Sequence, residues 1–457
     1  MNMKNMTIGN IAAACGGSVH FMKDTEADRE ASGVVIDSRQ VRPGFIFVAT
    51  KGERVDGHSF IPDVFEKGAL AVICEKLPED PAGPCILVDD SFQALKDAAA
   101  FYRDQLSIPI IGIIGSVGKT STKEFVATVL SERYKVQKTA GNFNNEVGVP
   151  LILFTVDDSH EVLVLEMGIN EFGEMTRIAR VARPDHVIMT NICEVHLENL
   201  IDRDGVLRAK SEVFGFMNPE GTVIINGDDD KLQTIREVNG RAPVTFGMDP
   251  ENDIFAAQVE NLGLFGTRAM ICAEGTMINA EIPVPGEVMV YNAMAAAAAG
   301  RLFGLTAEEI EAGIRKVQTV AGRSNLIRTE RHVVIDDCYN ASPVSMEAAL
   351  RTLAMAQGRK VAILGDMGEL GENEKQLHER VGRAAAAAGI DLLLCAGTLS
   401  AAMADAALKA GANVQYFADK EALLAKLPDL LMDNDTILVK ASHSMQFEKI
   451  VNFLINA

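Results

Sequence analysis

The stretch GIIGSVGKT, residues 112–120, decides the fold class of this 457-residue chain. It overlaps an apolar run, 110–114, that has the length and composition of a buried strand. After it, apolar residues at Phe125, Val126 and Val129 have the spacing of an amphipathic helix. A glycine-rich turn between a strand and a helix lets backbone N–H groups converge on phosphate oxygens. The stretch therefore predicts a phosphate-binding loop in an α/β domain with a mostly parallel sheet.

Lys119 and Thr120 supply the chemistry that such a loop needs. The lysine ammonium would neutralise the β- and γ-phosphates, and the threonine hydroxyl would ligate Mg²⁺. The spacing departs from the common G-x-x-x-x-G-K pattern, because five residues separate Gly112 from Gly118. A turn that served only the fold would not require Gly-Lys-Thr in this order, so we expect the loop to bind a nucleotide.

Composition excludes several classes of function. The chain has 43 Lys and Arg against 63 Asp and Glu, a net charge of −20, which argues against sequence-independent binding to nucleic acid or to an anionic membrane. Seven scattered cysteines without a C-x-x-C pair are typical of reduced thiols. No run approaches the ~20 apolar residues of a membrane span. We expect a cytoplasmic protein without membrane insertion, beginning with a short helix that starts at Thr7.

The length predicts more than one domain, at roughly 100–200 residues each. The pattern of strands and helices divides into three blocks, 1–107, 108–323 and 324–457. In the first, short β-like runs precede a helix-like stretch at 92–106. In the second, buried strands alternate with helices, and 253–283 has the alternation of antiparallel strands before an Ala-rich helix at 292–303. The third repeats the α/β rhythm, and ligands in such sheets bind at the carboxyl ends of the strands.

Four further features are candidates for chemistry. Glu166 ends a predicted strand, where an acid could hold the metal that phosphoryl transfer needs, although a solvated loop glutamate is the alternative. His196 also follows a strand, but a lone histidine is more often structural. Lys210 by itself has the pattern of an exposed helical lysine. The Asn-rich loop 142–145 could bind a polar substrate through its amides, or simply form a turn.

Taken together, these segments resemble the Mur ligases of peptidoglycan synthesis, and the resemblance covers essentially the whole chain. A narrower resemblance is to the members that add D-alanyl-D-alanine to UDP-N-acetylmuramoyl-tripeptide. It rests on DDCYNASP at 336–343, LGDMGELG at 364–371 and KASHSM at 440–445. The Asp-Asn-Pro-Arg signature of the members that add the third amino acid is absent. Val288, Ala441 and His443 stand where related ligases often have His, Gly and Arg.

The resemblance implies a three-domain Mur ligase architecture. The first block would bind the UDP-sugar, the central P-loop domain would bind ATP with two Mg²⁺ ions, and the Rossmann-like third block would bind the incoming dipeptide.

The resemblance also implies roles for individual residues. Catalysis would involve Lys119, His196 and Lys210. Metal ligands would be Thr120, Glu166, His196 and Lys210 as a carbamate. ATP would contact Gly115, Ser116, Val117, Gly118, Lys119, Thr120, Ser121, Asn292, Arg323 and Asp337. Substrates would contact Ser38, Arg39, Asn142, Asn144, Asn145, Tyr339, Asn340, Ser342, Lys440 and Ser442.

The reaction expected from this resemblance is ATP-dependent amide formation through an acyl phosphate. One alternative is a ligase of the same superfamily that adds a different amino acid or acts on a folate-like acid. Another is a P-loop switch or motor, although the chain has no Asn-Lys-x-Asp base-recognition motif. A third is an inactive binding protein; the intact set of chemical residues argues against it, namely Lys119, Thr120, Glu166, His196 and Lys210. We expect a monomer.

Overall fold

The computed structural model describes residues 3–23, 26–52 and 55–456, and its strands form three sheets. The N-terminal sheet has the order β1-β5-β4-β3-β2, in which only β1 is antiparallel to its neighbour. Its elements are α1 (Ile8–Ala14), β1 (Ser18–His20), β2 (Gly33–Val35), β3 (Phe45–Val48), α2 (Ile61–Glu66), β4 (Ala71–Cys74), β5 (Cys85–Leu87) and α3 (Ser91–Arg103). The helix predicted at Thr7 is confirmed, because the Thr7 hydroxyl accepts a hydrogen bond from Asn10 N at 3.2 Å and caps α1.

The central sheet contains nine strands in the order β14-β13-β12-β11-β10-β9-β6-β8-β7. Its strands are β6 (Ile110–Ile114), β7 (Val136–Lys138), β8 (Val162–Glu166), β9 (His186–Met189), β10 (Val223–Asn226), β11 (Val244–Gly247), β12 (Ile254–Asn261), β13 (Thr267–Ala273) and β14 (Thr276–Ile282). Its helices are α4 (Lys119–Leu130), α5 (Gly148–Leu153), α6 (Glu174–Ala182), α7 (Leu197–Leu200), α8 (Arg203–Ser211), α9 (Val288–Leu302) and α10 (Ala307–Arg315). The parallel part runs from β7 to β12, and β12, β13 and β14 pair antiparallel as predicted.

The C-terminal sheet has the order β15-β16-β20-β17-β18-β19, parallel except for β15. Its strands are β15 (Asn325–Arg328), β16 (Val333–Asp336), β17 (Lys360–Gly365), β18 (Leu392–Ala396), β19 (Val414–Phe417) and β20 (Thr436–Lys440). Its helices are α11 (Pro343–Ala354), α12 (Glu374–Ala387), α13 (Ser400–Lys409), α14 (Lys420–Leu430) and α15 (Glu448–Asn456). The predicted α/β rhythm of this block is therefore confirmed.

Sequence patterns missed four strands and misplaced one helix end. β1, β7 and β15 lie at sheet edges and are mostly half-buried, so their residues do not form a continuous apolar run. β11 lies inside the sheet but its first half is also only half-buried. The Ala-rich helix begins at Val288, about one turn before the predicted start.

The buried apolar side chains divide the molecule unequally. One continuous core extends from the N-terminal sheet, through α3, to one face of the central sheet. At this junction the Tyr102 hydroxyl donates to Val156 O at 2.6 Å, and Arg103 pairs with Asp185 at 3.0 Å. The C-terminal sheet has separate cores on its two faces. The N-terminal and central units are thus joined by apolar packing.

None of the described helices is long and apolar enough to cross a membrane.

Candidate active site

The phosphate-binding loop lies between β6 and α4, as its sequence predicts. Gly115 has φ 152°, and a Cβ there would lie 2.0 Å from Thr190 Oγ1, so this position requires glycine. The loop is held from the end of β9. Val117 N donates to Asn191 Oδ1 at 2.9 Å, and the Thr190 hydroxyl donates to Val117 O at 2.7 Å. These bonds hold the backbone of Val117 on both its N–H and its carbonyl side.

Lys119, the first residue of α4, turns back onto the loop that precedes it. Its Nζ donates to Gly115 O at 2.8 Å and to Ser116 O at 3.1 Å. Burial lowers the pKa of Lys119, and the nearby Glu166 carboxylate opposes this shift. The ammonium is therefore held at the mouth of the loop, where it can meet an anionic ligand.

Glu166 is the last residue of β8 and is only 2% exposed. Its Oε1 accepts hydrogen bonds from the Asn144 amide at 2.8 Å and the Thr120 hydroxyl at 3.3 Å. Its Oε2 is buried and has no hydrogen-bond partner among the described residues, and the Lys123 ammonium lies 3.9 Å away. An unpaired buried carboxylate oxygen is costly, so this atom is available for a cation that a ligand brings in.

Lys210 lies in α8 and is 1% exposed, so the interpretation of it as an exposed helical lysine is wrong. It lies on a helix face that also buries Val206 and Ala209. Its ammonium makes no hydrogen bond with any described residue. Burial, reinforced by the charge of Lys119, lowers the pKa of Lys210 well below its usual range. The lowered pKa makes the neutral, nucleophilic form of this amine more accessible than it is for an exposed lysine.

His196 stands immediately before α7, in the left-handed conformation with φ 52°. Its Nδ1 bonds to Oε2 of Glu369, a residue of the loop that follows β17 in the C-terminal unit. Burial lowers the pKa of His196, whereas the Glu369 carboxylate raises it. The histidine is thus held by a carboxylate from a different unit of the molecule.

The Asn-rich loop has mixed roles in the structure. Asn145 Oδ1 accepts from Gly148 N at 2.8 Å and so stabilises the turn before α5. Asn144 donates its amide to Glu166, which leaves its carbonyl oxygen for a ligand. The side chain of Asn142 is exposed and faces the same cavity as the other two. Asn145 therefore serves to form the turn, whereas Asn142 and Asn144 keep side-chain groups that a substrate could contact.

The C-terminal unit contributes a polar wall. Lys440 Nζ bonds to Asp337 Oδ2 at 2.6 Å and to Asn340 O at 2.9 Å, in a buried pair that fixes the loop after β16. The Arg323 guanidinium lies over the Tyr339 ring at 4.0 Å, and the His443 ring packs 5.1 Å from the same ring. A guanidinium and an imidazole beside one aromatic ring can contact a planar or anionic ligand.

Most of these groups surround one cavity of about 770 Å³ between the central and C-terminal units. Most of the predicted site residues line it. They are Ser116, Val117, Gly118, Lys119, Thr120, Ser121, Asn142, Asn144, Asn145, Glu166, His196, Asn292, Arg323, Asp337, Tyr339, Asn340, Ser342, Lys440 and Ser442.

Four predicted residues lie outside the lining. Gly115 shapes the loop from behind, and Lys210 is buried beneath the surface. Ser38 and Arg39 follow β2 in the N-terminal unit, where Arg39 is exposed and pairs with Asp37 at 2.8 Å. The cavity therefore accounts for the central and C-terminal candidates, and the two N-terminal candidates belong to another surface.

Sequence reasoning also missed residues that shape this cavity. Thr190 and Asn191 support the loop, and Glu369 holds His196. The first two follow a recognised strand, which was the available signal, but a single Thr-Asn pair has no distinctive spacing. Glu369 lies within the segment 364–371, but the sequence does not identify it as a partner of His196, because the contact spans 173 residues of sequence.

Comparison with known families supports this arrangement over the whole chain. Three family models match: the Mur ligase family catalytic domain at 30–103, the Mur ligase middle domain at 113–300, and the Mur ligase glutamate ligase domain at 322–443. A relative from Bacillus subtilis, the UDP-N-acetylmuramoyl-tripeptide–D-alanyl-D-alanine ligase, is 36% identical over 93% of both chains.

Two solved structures are similar over nearly the full length. MurF from Acinetobacter baumannii is 32% identical with a TM-score of 0.90, and the alignment covers all of both chains. MurF ligase from Thermotoga maritima, solved in complex with ADP, is 27% identical with a TM-score of 0.81, covering 93% of this chain and 97% of the other. The three-unit architecture is that of a known family of enzymes.

Proposed function

This chain belongs to the Mur ligase family, and we propose that it uses ATP to join D-alanyl-D-alanine to UDP-N-acetylmuramoyl-tripeptide. The observation that carries this proposal is the single cavity in which a phosphate-binding loop faces the polar wall of the C-terminal unit. The dipeptide specificity is supported by the 36% identical relative that carries this activity in its name. The similar MurF structure with bound ADP supports the use of ATP.

The chemical problem is that a carboxylate is a poor electrophile. Transfer of the γ-phosphoryl group of ATP to the terminal carboxylate of the tripeptide forms an acyl phosphate and releases ADP. The dipeptide amine then attacks the acyl carbon, phosphate leaves with the C–O bond electrons, and the amine loses a proton to give the amide. Lys119 would reduce the repulsion between the two anionic reactants. This scheme needs three substrates in one water-excluding site.

The residues around Glu166 fit a Mg²⁺ ion. Thr120 Oγ1 and Glu166 Oε2, which accepts no hydrogen bond from a described residue, are the hard oxygen donors that Mg²⁺ prefers. Within the described residues no three His, Cys, Asp or Glu side chains converge, so the remaining ligands would come from phosphate oxygens and water. When bound, the ion would screen the phosphate charge. We propose Thr120 and Glu166 for this ion, and His196 with Lys210 for a second.

Lys210 would serve that second ion after modification. A neutral amine can attack the carbon of CO₂ and lose one proton to form a carbamate, which converts a buried base into an anion. The lowered pKa of Lys210 favours the neutral amine that this addition requires. Its burial and lack of hydrogen bonds support the same proposal, because an unmodified ammonium would be left unpaired there.

We propose that the three blocks 1–107, 108–323 and 324–457 bind the UDP-sugar, ATP and the dipeptide respectively. Ser38 and Arg39 would then contact the UDP-sugar, and Asn340, Ser342 and Ser442 the dipeptide. All seven cysteines are free, which supports a location in the reducing cytoplasm. Interdomain closure would align the three substrates. We retain the monomer as a prediction.

The experiment that tests this function is phosphate release from ATP and Mg²⁺, with UDP-MurNAc-tripeptide and D-Ala-D-Ala each omitted in turn. We expect release only when both acceptors are present, with a pentapeptide product identified by mass. Release with ATP alone would favour a switch or motor. Release with a different amine, found by screening amino acids, would indicate another ligase of the family.

A further inference from the structure

One contact across the cavity is not accounted for by the functions proposed above. Glu369, from the loop after β17, bonds through Oε2 to Nδ1 of His196, which precedes α7 in the central unit. The Glu369 side chain is 54% exposed, so it contributes little to the core of its own unit. Its partner in space is 173 residues away in sequence. The contact therefore links two units that have separate apolar cores.

The loop that carries Glu369 is rigid on its own side of the cavity. Asp366 Oδ1 accepts from Ser400 N at 2.7 Å and from the Ser400 hydroxyl at 2.6 Å. His378, which is fully buried, accepts from Met367 N at 2.9 Å through Nε2, and its Nδ1 bonds to Glu374 O at 2.7 Å. These bonds anchor Asp366 and Met367, which lie just before Glu369, to α13 and α12. The carboxylate is thus presented by the C-terminal unit in a defined position.

His196 lies on a segment that is bonded to the phosphate-binding loop. Cys193 N donates to the Ser116 hydroxyl at 2.9 Å, three residues before the histidine. A second contact between the units lies close by, where Arg380 approaches Glu194 at 3.6 Å. The histidine is therefore connected to the nucleotide loop on one side and to the C-terminal unit on the other.

The chemistry of the contact determines which nitrogen of His196 is free. An ionised carboxylate only accepts hydrogen bonds, so the proton of the contact belongs to Nδ1. In the neutral ring, Nε2 then carries the free lone pair. We propose that Glu369 is a positioning residue for the ligation: it fixes the tautomer and orientation of His196, and it does so only when the C-terminal unit is closed over the central unit. This inference rests on the proposed function and adds to it a coupling between closure and the nucleotide site.

The test compares three variants with the wild type. Glu369→Ala removes the carboxylate, whereas Glu369→Gln keeps an amide oxygen that can accept from Nδ1. Glu372→Gln is the matched control, because Glu372 lies in the same segment, is exposed and makes no hydrogen bond with a described residue. The readouts are kcat, the KM for ATP, and the tautomer of His196 by nitrogen-15 NMR of histidine-labelled protein.

We expect Glu369→Ala to lower kcat about 10–100-fold, as is typical when a residue behind a functional histidine is removed, with KM for ATP changed less than about twofold. Glu369→Gln should retain more activity, and Glu372→Gln should match the wild type. The His196 signal should indicate an Nδ1-protonated ring in the wild type and a mixture of tautomers in Glu369→Ala. In a His196→Ala background, Glu369→Ala should cause no further loss, because the two residues act through one contact.

An unchanged tautomer, or a kcat for Glu369→Ala within about twofold of wild type, would overturn the inference. Additive losses in the double variant would also overturn it, since they would mean that Glu369 acts elsewhere. The NMR measurement requires no turnover. A wild-type protein that made no pentapeptide would therefore contradict the proposed function, while the tautomer would still decide whether Glu369 orients His196.

Discussion

At the scale of single residues, Lys119 is the side chain on which the proposed chemistry depends most directly. It can leave the carbonyl groups of Gly115 and Ser116 for a phosphate, because all three lie at the mouth of one loop. We expect Lys119→Ala to abolish turnover, at least 10³-fold in kcat on the scale of a lost charge-stabilising group. Circular dichroism should show a folded protein.

The matched control for this variant is Lys375→Ala, an exposed lysine on α12 that makes no ion pair with a described residue. It should retain wild-type turnover. Near-normal phosphate release by Lys119→Ala, with ATP and both acceptors present, would contradict the role given to this residue.

Lys210 leads to a prediction about stability and pH. Burial lowers the pKa of Lys210, so at pH values between this lowered pKa and the ordinary unfolded-state value of about 10.4 the folded state holds a neutral amine where the unfolded chain binds a proton. The unfolded state then binds more protons, so this residue's contribution to the free energy of unfolding decreases as pH falls from about 10 until the lowered pKa is reached. Lys210→Met removes this dependence and should also abolish activity.

Thermal unfolding in CO₂-free buffer measures the effect. The stability of Lys210→Met relative to wild type should increase as pH is lowered from 10 to 7, by up to about 1.4 kcal/mol per pH unit. Lys375→Met should follow the wild-type curve, because that lysine is exposed. Parallel curves for Lys210→Met and wild type would mean that the Lys210 amine is not desolvated.

At the scale of elements, one glycine of the phosphate-binding loop and one glycine inside a helix should respond oppositely to alanine. At Gly115 the added Cβ would overlap the Thr190 hydroxyl, and a positive φ costs about 1–3 kcal/mol. At Gly9, inside α1, nothing lies within 4 Å of the added atom, and alanine favours helix by up to about 1 kcal/mol. We expect Gly115→Ala to lower the denaturation midpoint and weaken ADP binding.

Gly9→Ala should raise the midpoint slightly and leave ADP binding unchanged. Urea titrations followed by circular dichroism would give the denaturation midpoint. Titrations with a fluorescent nucleotide analogue, and its displacement by ADP, would give the affinity for ADP. A Gly115→Ala protein with wild-type stability and affinity would contradict the conformation of the loop.

The elements that sequence predicts well are those whose signal is local. β6 is fully buried, so its apolar residues are contiguous, and the turn after it contains glycines that its backbone requires. β7 and β15 were missed because edge strands bury only part of each residue. Lys210 was misread because burial of a helix face depends on what packs against it. Glu369 had no detectable signal, since its role exists only after two distant units meet.

At the scale of the whole molecule, the division of the cores predicts where ligand binding is felt. The cavity is lined by the central and C-terminal units, whereas β2 and β3 lie in the N-terminal sheet. We expect ADP with Mg²⁺ to slow amide hydrogen exchange in both 115–122 and 337–345, and to leave 33–48 unchanged. Mass spectrometry of peptic peptides would measure this. Protection confined to 115–122 would contradict a nucleotide site shared by two units.

The segment that joins these two units has a mechanical consequence. Gly322 O accepts from Tyr339 N at 3.1 Å, Gly322 N donates to Asp336 at 2.7 Å, and Ser324 N donates to Asp337 at 3.0 Å. Arg323 lies between these two bonded residues, so its backbone moves together with the C-terminal sheet. Any rotation of that sheet moves this guanidinium by the same angle toward or away from the phosphate-binding loop. The position of the C-terminal unit is therefore transmitted to the phosphate-binding loop without a separate signalling element.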